Sequence, residues 1–151
     1  MITLIEALNY RCLRYIKQPL GPFHILVGPN ASGKTTFLDV LGFLGDFVSE
    51  GVDKAVGTRT QNFQDLIYGR KGKNFELAIE AAIPEERRQK LFNPDIDTIR
   101  YEVSIGTNGD DEISILSEKC SIKKSEQVVQ IQRDLFPQPL DCGGRESLDQ
   151  F

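Results

Sequence analysis

The stretch that most constrains this chain is Gly28-Pro29-Asn30-Ala31-Ser32-Gly33-Lys34-Thr35. It fits G-x-x-x-x-G-K-[ST], a loop that cradles the phosphates of a nucleoside triphosphate. Phe23-His24-Ile25-Leu26-Val27 runs into it as a short apolar segment, which predicts a buried parallel strand. From Lys34 to Val48 the chain is long enough for a helix and apolar nearly all round, so that helix is expected to be deeply buried. Gly28 and Gly33 permit backbone angles that a side chain would hinder, so that the intervening N–H groups form an anion nest. The helix adds its unpaired first-turn N–H groups and its positive dipole end. Lys34 supplies a point charge for the β- and γ-phosphates, and Thr35 a hydroxyl for Mg²⁺.

The rest of the composition bounds the alternatives. A chain of 151 residues, 40% hydrophobic and 26% charged, has enough apolar material for one domain with a real core. A net charge of −4 argues against a purely basic nucleic-acid clamp. No apolar run approaches a membrane span, and the first residues lack a signal-peptide pattern, so a cytoplasmic protein is expected. Cys12, Cys120 and Cys142 are far apart and odd in number, and with the single His24 they give no zinc spacing; reduced thiols are expected.

In chain order, residues 2–8 predict a first strand and residues from about 10 to 18 a second. The short link between them favours antiparallel pairing. Pro19-Leu20-Gly21-Pro22 is a turn. Gly42 and Gly45 weaken the helix, and close approach of helix to sheet is the expected gain. Residues 49–62 read as a mobile loop, 63–68 as a short element, and Gly69-Arg70-Lys71-Gly72-Lys73 as a basic turn. Residues 74–81 and 98–105 predict strands, with a short helix opened by Pro84 between them. Asn108-Gly109 predicts a hairpin turn into a return strand over 112–118, and 125–133 a further strand.

The lead-in Asn9-Tyr10-Arg11-Cys12-Leu13, followed by a loop with Asn30 at its third position, resembles the start of ABC-type ATPases of the SMC/RecF/OLD group. Those begin N-[FY]-[RK]-x-[LF] and continue G-x-N-[GA]-[SA]-G-K-[ST]. The match covers about residues 1–50; the hairpin block over 63–135 resembles that group's antiparallel β-subdomain in order and pattern. The resemblance implies an α/β P-loop NTPase core with an antiparallel β-subdomain, incomplete at its C-terminus. It implies ATP and Mg²⁺ as ligands, with Gly28, Asn30, Ala31, Ser32, Gly33, Lys34, Thr35 and Thr36 contacting nucleotide and Thr35 the metal. It also implies closure as a head-to-head pair. Arg11 or Arg14 would approach the nucleotide, Arg59 would stand where relatives carry an arginine that touches nucleotide or DNA, and Gln150 would be the Q-loop residue beside the attacking water.

Hydrolysis also needs acidic residues for metal and water, which this group carries at the end of a fully apolar strand. Residues 113–118 alternate with serine, and 128–134 are broken by Gln130, Gln132 and Arg133. Leu140-Asp141-Cys142-Gly143-Gly144-Arg145 has the paired glycines of a signature loop without its Ser and Gln. The chain is therefore expected to be the first portion of a larger ATPase. Three functions stay open: an ATPase head acting with DNA and a nuclease partner in repair, recombination or anti-phage defence; the ATP-binding subunit of a membrane transporter; or a module that holds nucleotide without turning it over. The basic turn at 69–73 is the one DNA-facing hint.

Overall fold

The computed structural model describes residues 1–108 and 112–125. Strands β1 (Ile2–Tyr10) and β2 (Leu13–Pro19) form a tight antiparallel pair, with Leu8 opposite Tyr15 and Tyr10 opposite Leu13. Two non-glycine residues take left-handed backbone around this link, Asn9 (φ 57°) and Arg11 (φ 52°). Strands β3 (Asn74–Ala82), β4 (Thr98–Thr107) and β5 (Ile113–Lys123) complete one five-stranded sheet in the order β2-β1-β3-β4-β5, antiparallel at every junction. The lead-in strands and the later hairpin block thus share a single sheet. The β4–β5 hairpin is closed by the Asn108 N–H donating to the Glu112 carbonyl at 3.0 Å.

Side chains alternate across a strand, so each sheet face carries its own chemistry. One face is apolar: Ile5, Ala7, Tyr10, Phe75, Leu77, Val103 and Ile105 are buried against helix α1 (Lys34–Glu50). The helix answers with Phe37, Val40, Phe43, Leu44 and Phe47. The centre is aromatic, with Phe43 5.8 Å from Tyr10 and 5.4 Å from Phe75, ring centre to ring centre. Edge-on packing of this kind adds about 1 kcal/mol per pair beyond simple burial. On the opposite face Arg100 donates to Glu6, Glu80 and Glu102, and Tyr15 donates to Glu6. Glu6 is fully buried there, which its two donors make tolerable.

Several expectations are corrected. Residues 23–27 do not form a strand; Phe23 and Val27 are 79% and 84% exposed. A parallel strand needs a neighbour running its own way, and among the described residues every sheet pairing is antiparallel. The segment instead leaves an apolar groove of about 330 Å³ in which Ile25 and Leu26 share the walls with Leu38 and Leu41 of α1. Helix α1 is buried along one stripe only, since Leu38 and Val48 are exposed. Its glycines do not serve contact with the sheet. A Cβ on Gly42 would stand 3.2 Å from the Arg59 guanidinium, while one on Gly45 would meet open space. Residues 49–62 are not a loop throughout: after Gly51 a second helix, α2 (Val52–Gly57), buries Ala55 and Val56. A short helix α3 (Glu85–Arg88) follows Pro84 as expected. The strand expected at 125–133 lies, beyond Ser125, outside the described residues.

Candidate nucleotide site

The loop before α1 has the backbone its glycines anticipate. Gly28, Ala31 and Gly33 all have positive φ (157°, 63° and 91°), the kind of backbone that turns successive N–H groups toward one side. A Cβ on Gly28 would fall 2.9 Å from the Ser32 hydroxyl, and one on Gly33 3.3 Å from both Cys12 Sγ and a methyl of Leu13. The first intrahelical bond runs from the Phe37 N–H to the Gly33 carbonyl at 2.8 Å. The N–H groups of Lys34, Thr35 and Thr36 consequently have no acceptor within the helix. No acidic side chain stands in that first turn, so nothing fixed in place there competes for the positive end of the helix dipole.

Lys34 folds back across the loop. Its ammonium donates to the carbonyls of Gly28 (2.8 Å) and Pro29 (2.7 Å) and to the Ser32 hydroxyl (3.3 Å). The charge is therefore held against the loop by neutral acceptors and, among the described residues, by no carboxylate. Asn30, Ala31, Ser32 and Thr35 are exposed, and Lys34 and Thr36 are half-buried. A crowded glycine cradle and a lysine over its mouth fit a triphosphate. Thr35 Oγ1 fits a Mg²⁺ that takes its remaining ligands from phosphate and water. Among the described residues no three His, Cys, Asp or Glu side chains gather as a metal cage, and a phosphate-bound Mg²⁺ requires none.

Two cavities open at the start of α1, one lined by Lys34 and the other by Thr36. One, of about 320 Å³, lies over the loop between β2 and α1, with Leu13, Ile16 and Gln18 on one side and Lys34 and Phe37 on the other. The second, of about 580 Å³, opens beside Thr36 and is lined by Arg11, Cys12, Asp65, Ile67, Gly69 and Arg70. The chain builds its wall by bringing Ile67 to Tyr10 as an isolated antiparallel bridge and by the Arg11 N–H donating to the Leu66 carbonyl at 2.8 Å. Cys12 lies against the Thr36 hydroxyl at 3.2 Å.

Arg11 lines this second cavity, and its guanidinium meets Asp39 at 3.1 Å. Arg14 is exposed and not among the lining residues. Arg59 turns out neither solvated nor directed at the loop. It donates to Asp39 at 2.9 Å and to Asp46 at 2.7 Å, and it lies 5.1 Å from the Phe43 ring centre. Burial works against its charge, but the two carboxylates outweigh burial and strengthen its hold on the proton. Asp39 also accepts from the Tyr10 hydroxyl at 2.6 Å, and burial, with Asp39 beside it, keeps that phenol protonated. Gln150 lies outside the described residues.

Asp65, Ile67 and Arg70 were not legible as site residues. The basic turn that hinted at DNA sends Arg70 toward Asp65, at 3.0 Å, on the cavity wall; Lys71 and Lys73 stay exposed. Only the glycines at 69 and 72 marked a turn, and no local pattern says that this turn folds against Tyr10.

Comparison with known proteins gives three likenesses. The family model described as "AAA domain, putative AbiEii toxin, Type IV TA system" matches residues 23–136. The OLD nuclease of Thermus scotoductus is 47% identical over 47 residues, which are 30% of this chain and 9% of that protein, so the chain spans a small part of this relative's length. A structure solved in work on "ATP-driven dimerization and DNA stimulated activation of SMC ATPases" superposes with a TM-score of 0.53 at 22% identity, over 82% of this chain and 69% of its own. That last likeness establishes the P-loop NTPase-type α/β fold. Among the described residues no helix is long and apolar enough to cross a membrane.

Proposed function

The chain belongs to the AAA-domain family whose model it matches, a P-loop ATPase family here related to OLD and SMC proteins, and on that premise we propose that it is an ATP–Mg²⁺-binding head that works as a closed pair on DNA. In this reading the triphosphate lies on Gly28, Asn30, Ala31, Ser32, Gly33, Lys34, Thr35 and Thr36, and Thr35 Oγ1 ligates Mg²⁺. Bound there, Mg²⁺ would supply positive charge to offset that of the phosphates. The nucleoside extends past Thr36 into the cavity of Arg11 and Cys12. The observation that carries the reading is the Lys34 ammonium, 2.7–2.8 Å from two loop carbonyls and paired with no carboxylate among the described residues. A phosphate oxygen can replace those neutral acceptors with a charge-assisted bond.

The residues lining the cavity over the loop include no carboxylate. We therefore assign the hydrolytic acids, and Gln150 as the water-sensing glutamine, to segments outside the described residues. In the same reading residues 1–50 supply the nucleotide-binding part of the head, and β3–β5 extend the sheet of β1 and β2 as the described part of its antiparallel β-subdomain. The SMC neighbour's ATP-driven dimerization and DNA stimulation, together with the OLD nuclease likeness, support a role beside a nuclease in DNA repair, recombination or defence.

The test is equilibrium ATP binding with Mg²⁺, wild type against Lys34→Ala. Loss of charged hydrogen bonds worth about 1.5–3 kcal/mol predicts roughly 10- to 100-fold weaker binding. Equal binding by both would remove the loop from the site. DNA-stimulated turnover, together with ATP-dependent dimers, tests the wider role; turnover indifferent to DNA removes DNA from it.

A further inference from the structure

The cavity beside Thr36 has an ion pair in its far wall. Arg70 reaches Asp65 at 3.0 Å, and both residues line the space. The Arg70 side chain is 74% exposed and that of Asp65 38%. A pair this open contributes little to stability, on the order of 0–1 kcal/mol, and is readily exchanged for another partner. Asp65 has an independent support, since it accepts from the Thr60 hydroxyl at 3.1 Å. It therefore keeps a neighbour if Arg70 leaves, a hydroxyl that it shares with the Asn62 carbonyl at 3.1 Å.

The backbone beneath Arg70 points the same way. Gly69 and Arg70 are consecutive left-handed residues, φ 62° and 53°. Arginine adopts that conformation at a cost of about 1–2 kcal/mol, and such strain gathers where a site demands it. Arg11, the other arginine of this cavity, is left-handed as well (φ 52°). The two guanidiniums enter one cavity from different segments, and each leans on a carboxylate, Asp39 for Arg11 and Asp65 for Arg70.

Resting on the ATP reading above, we infer that Arg70 is a nucleoside-contacting residue held aside by Asp65, and that it exchanges Asp65 for the bound nucleotide. The phosphates occupy the loop and the first turn of α1, so the part of the ligand that reaches the far wall is the nucleoside. A guanidinium there stacks its plane on a base face or donates to base and sugar acceptors. Arg11, next in the chain to the Cys12 that lies against Thr36, is placed toward the phosphate end. Arg70 thus confers preference for a nucleotide over a bare polyphosphate, and Asp65 sets how readily it is released.

The experiment measures Mg²⁺-dependent binding of ATP and of inorganic tripolyphosphate to wild type, Arg70→Ala, Asp65→Asn and the double variant, with Lys34→Ala alongside. The expected result is ATP binding about fivefold weaker in Arg70→Ala with tripolyphosphate unchanged. Asp65→Asn removes the competing partner and tightens ATP about two- to fivefold, and the double variant behaves as Arg70→Ala. A merely structural ion pair would weaken both single variants alike. The inference is overturned if Asp65→Asn fails to tighten ATP, or if Arg70→Ala leaves ATP unchanged or weakens tripolyphosphate equally. If Lys34→Ala still abolishes ATP binding in those cases, the nucleotide site stands and only the role of Arg70 falls. If Lys34→Ala binds as wild type does, both fall together.

Discussion

Arg59 Nε lies 2.9 Å from Asp39 Oδ1, tying the segment after α2 to the second turn of α1. The same guanidinium reaches Asp46 and covers the Phe43 ring, while Asp39 turns its other oxygen to Tyr10 and Arg11. One carboxylate therefore joins the aromatic core to Arg11 in the wall of the cavity beside Thr36. The side chain of Arg59 is only 10% exposed, so its charge is poorly replaced by water.

Arg59→Ala leaves Asp39 short of its principal cation. Breaking such a buried pair from one side destabilises by about 3 kcal/mol. A fall of that size in the denaturant-unfolding free energy is expected, while nucleotide affinity at a temperature where the variant remains folded changes little. Affinity that collapses with stability intact would instead place Arg59 in contact with ligand.

Gly33→Ala tests the loop geometry. At φ 91° a Cβ is strained, and it would press on Cys12 and Leu13 at 3.3 Å. The backbone penalty is about 1–2 kcal/mol, and any relief through movement of the loop displaces the N–H groups that phosphate needs. ATP affinity is expected to drop at least tenfold, with a modest loss of stability, by titration and thermal unfolding of the same sample. Undiminished affinity would show that the cradle does not require this conformation.

What the sequence made legible was local. Gly28, Gly33 and Lys34 announce their geometry because glycine spacing and the lysine position are contiguous in the chain. The β1–β2 pair follows from a short link, and β4–β5 from the turn at Asn108. Residues 23–27 misled because an apolar run states that burial is wanted without stating which neighbour supplies it. Arg59 misled in the opposite sense: a polar residue in a glycine-spotted stretch reads as solvated unless two aspartates about two turns apart on α1 are known to converge on it. The Asp65–Arg70 wall depends on the Tyr10–Ile67 bridge, a contact across 57 residues of sequence that no periodicity encodes.

The charged face of the sheet turns on Arg100, which donates to Glu6, Glu80 and Glu102 from a side chain 10% exposed. Burial favours the neutral form of Glu80, but Lys123 and Arg100 together hold its carboxyl below the usual range. Arg100→Met keeps much of the aliphatic packing and takes from the buried Glu6 its guanidinium partner, while Tyr15 still donates to it. Destabilisation of about 3–5 kcal/mol is expected from removing one member of a buried ionic cluster. Denaturant unfolding at neutral pH measures it, and a loss under 1 kcal/mol would mean that water or Lys17 takes over the role.

Glu76, on the same face, gives the pH prediction. Its Oε2 is buried and has no hydrogen-bond partner among the described residues, while Asn74 donates to Oε1 at 3.4 Å. Burial, the charge of Glu102 and, more weakly, that of Glu6 push its carboxyl up to about 7, against the opposing pull of Asn74. The unfolded chain releases this proton near the ordinary value of 4.5, whereas the folded chain keeps it until about 7. Between those values the folded state binds more protons, so stability falls as pH rises, and the loss is complete above the folded value. Glu76→Gln carries no titratable proton and still accepts from Asn74. It is expected to match wild type near pH 4 and to melt higher than wild type at pH 8, with the gap opening from about pH 5 upward. Melting curves of the two proteins across that range decide it; a gap that is constant with pH, or that closes toward pH 8, would mean that Glu76 ionises in the fold as it does in water.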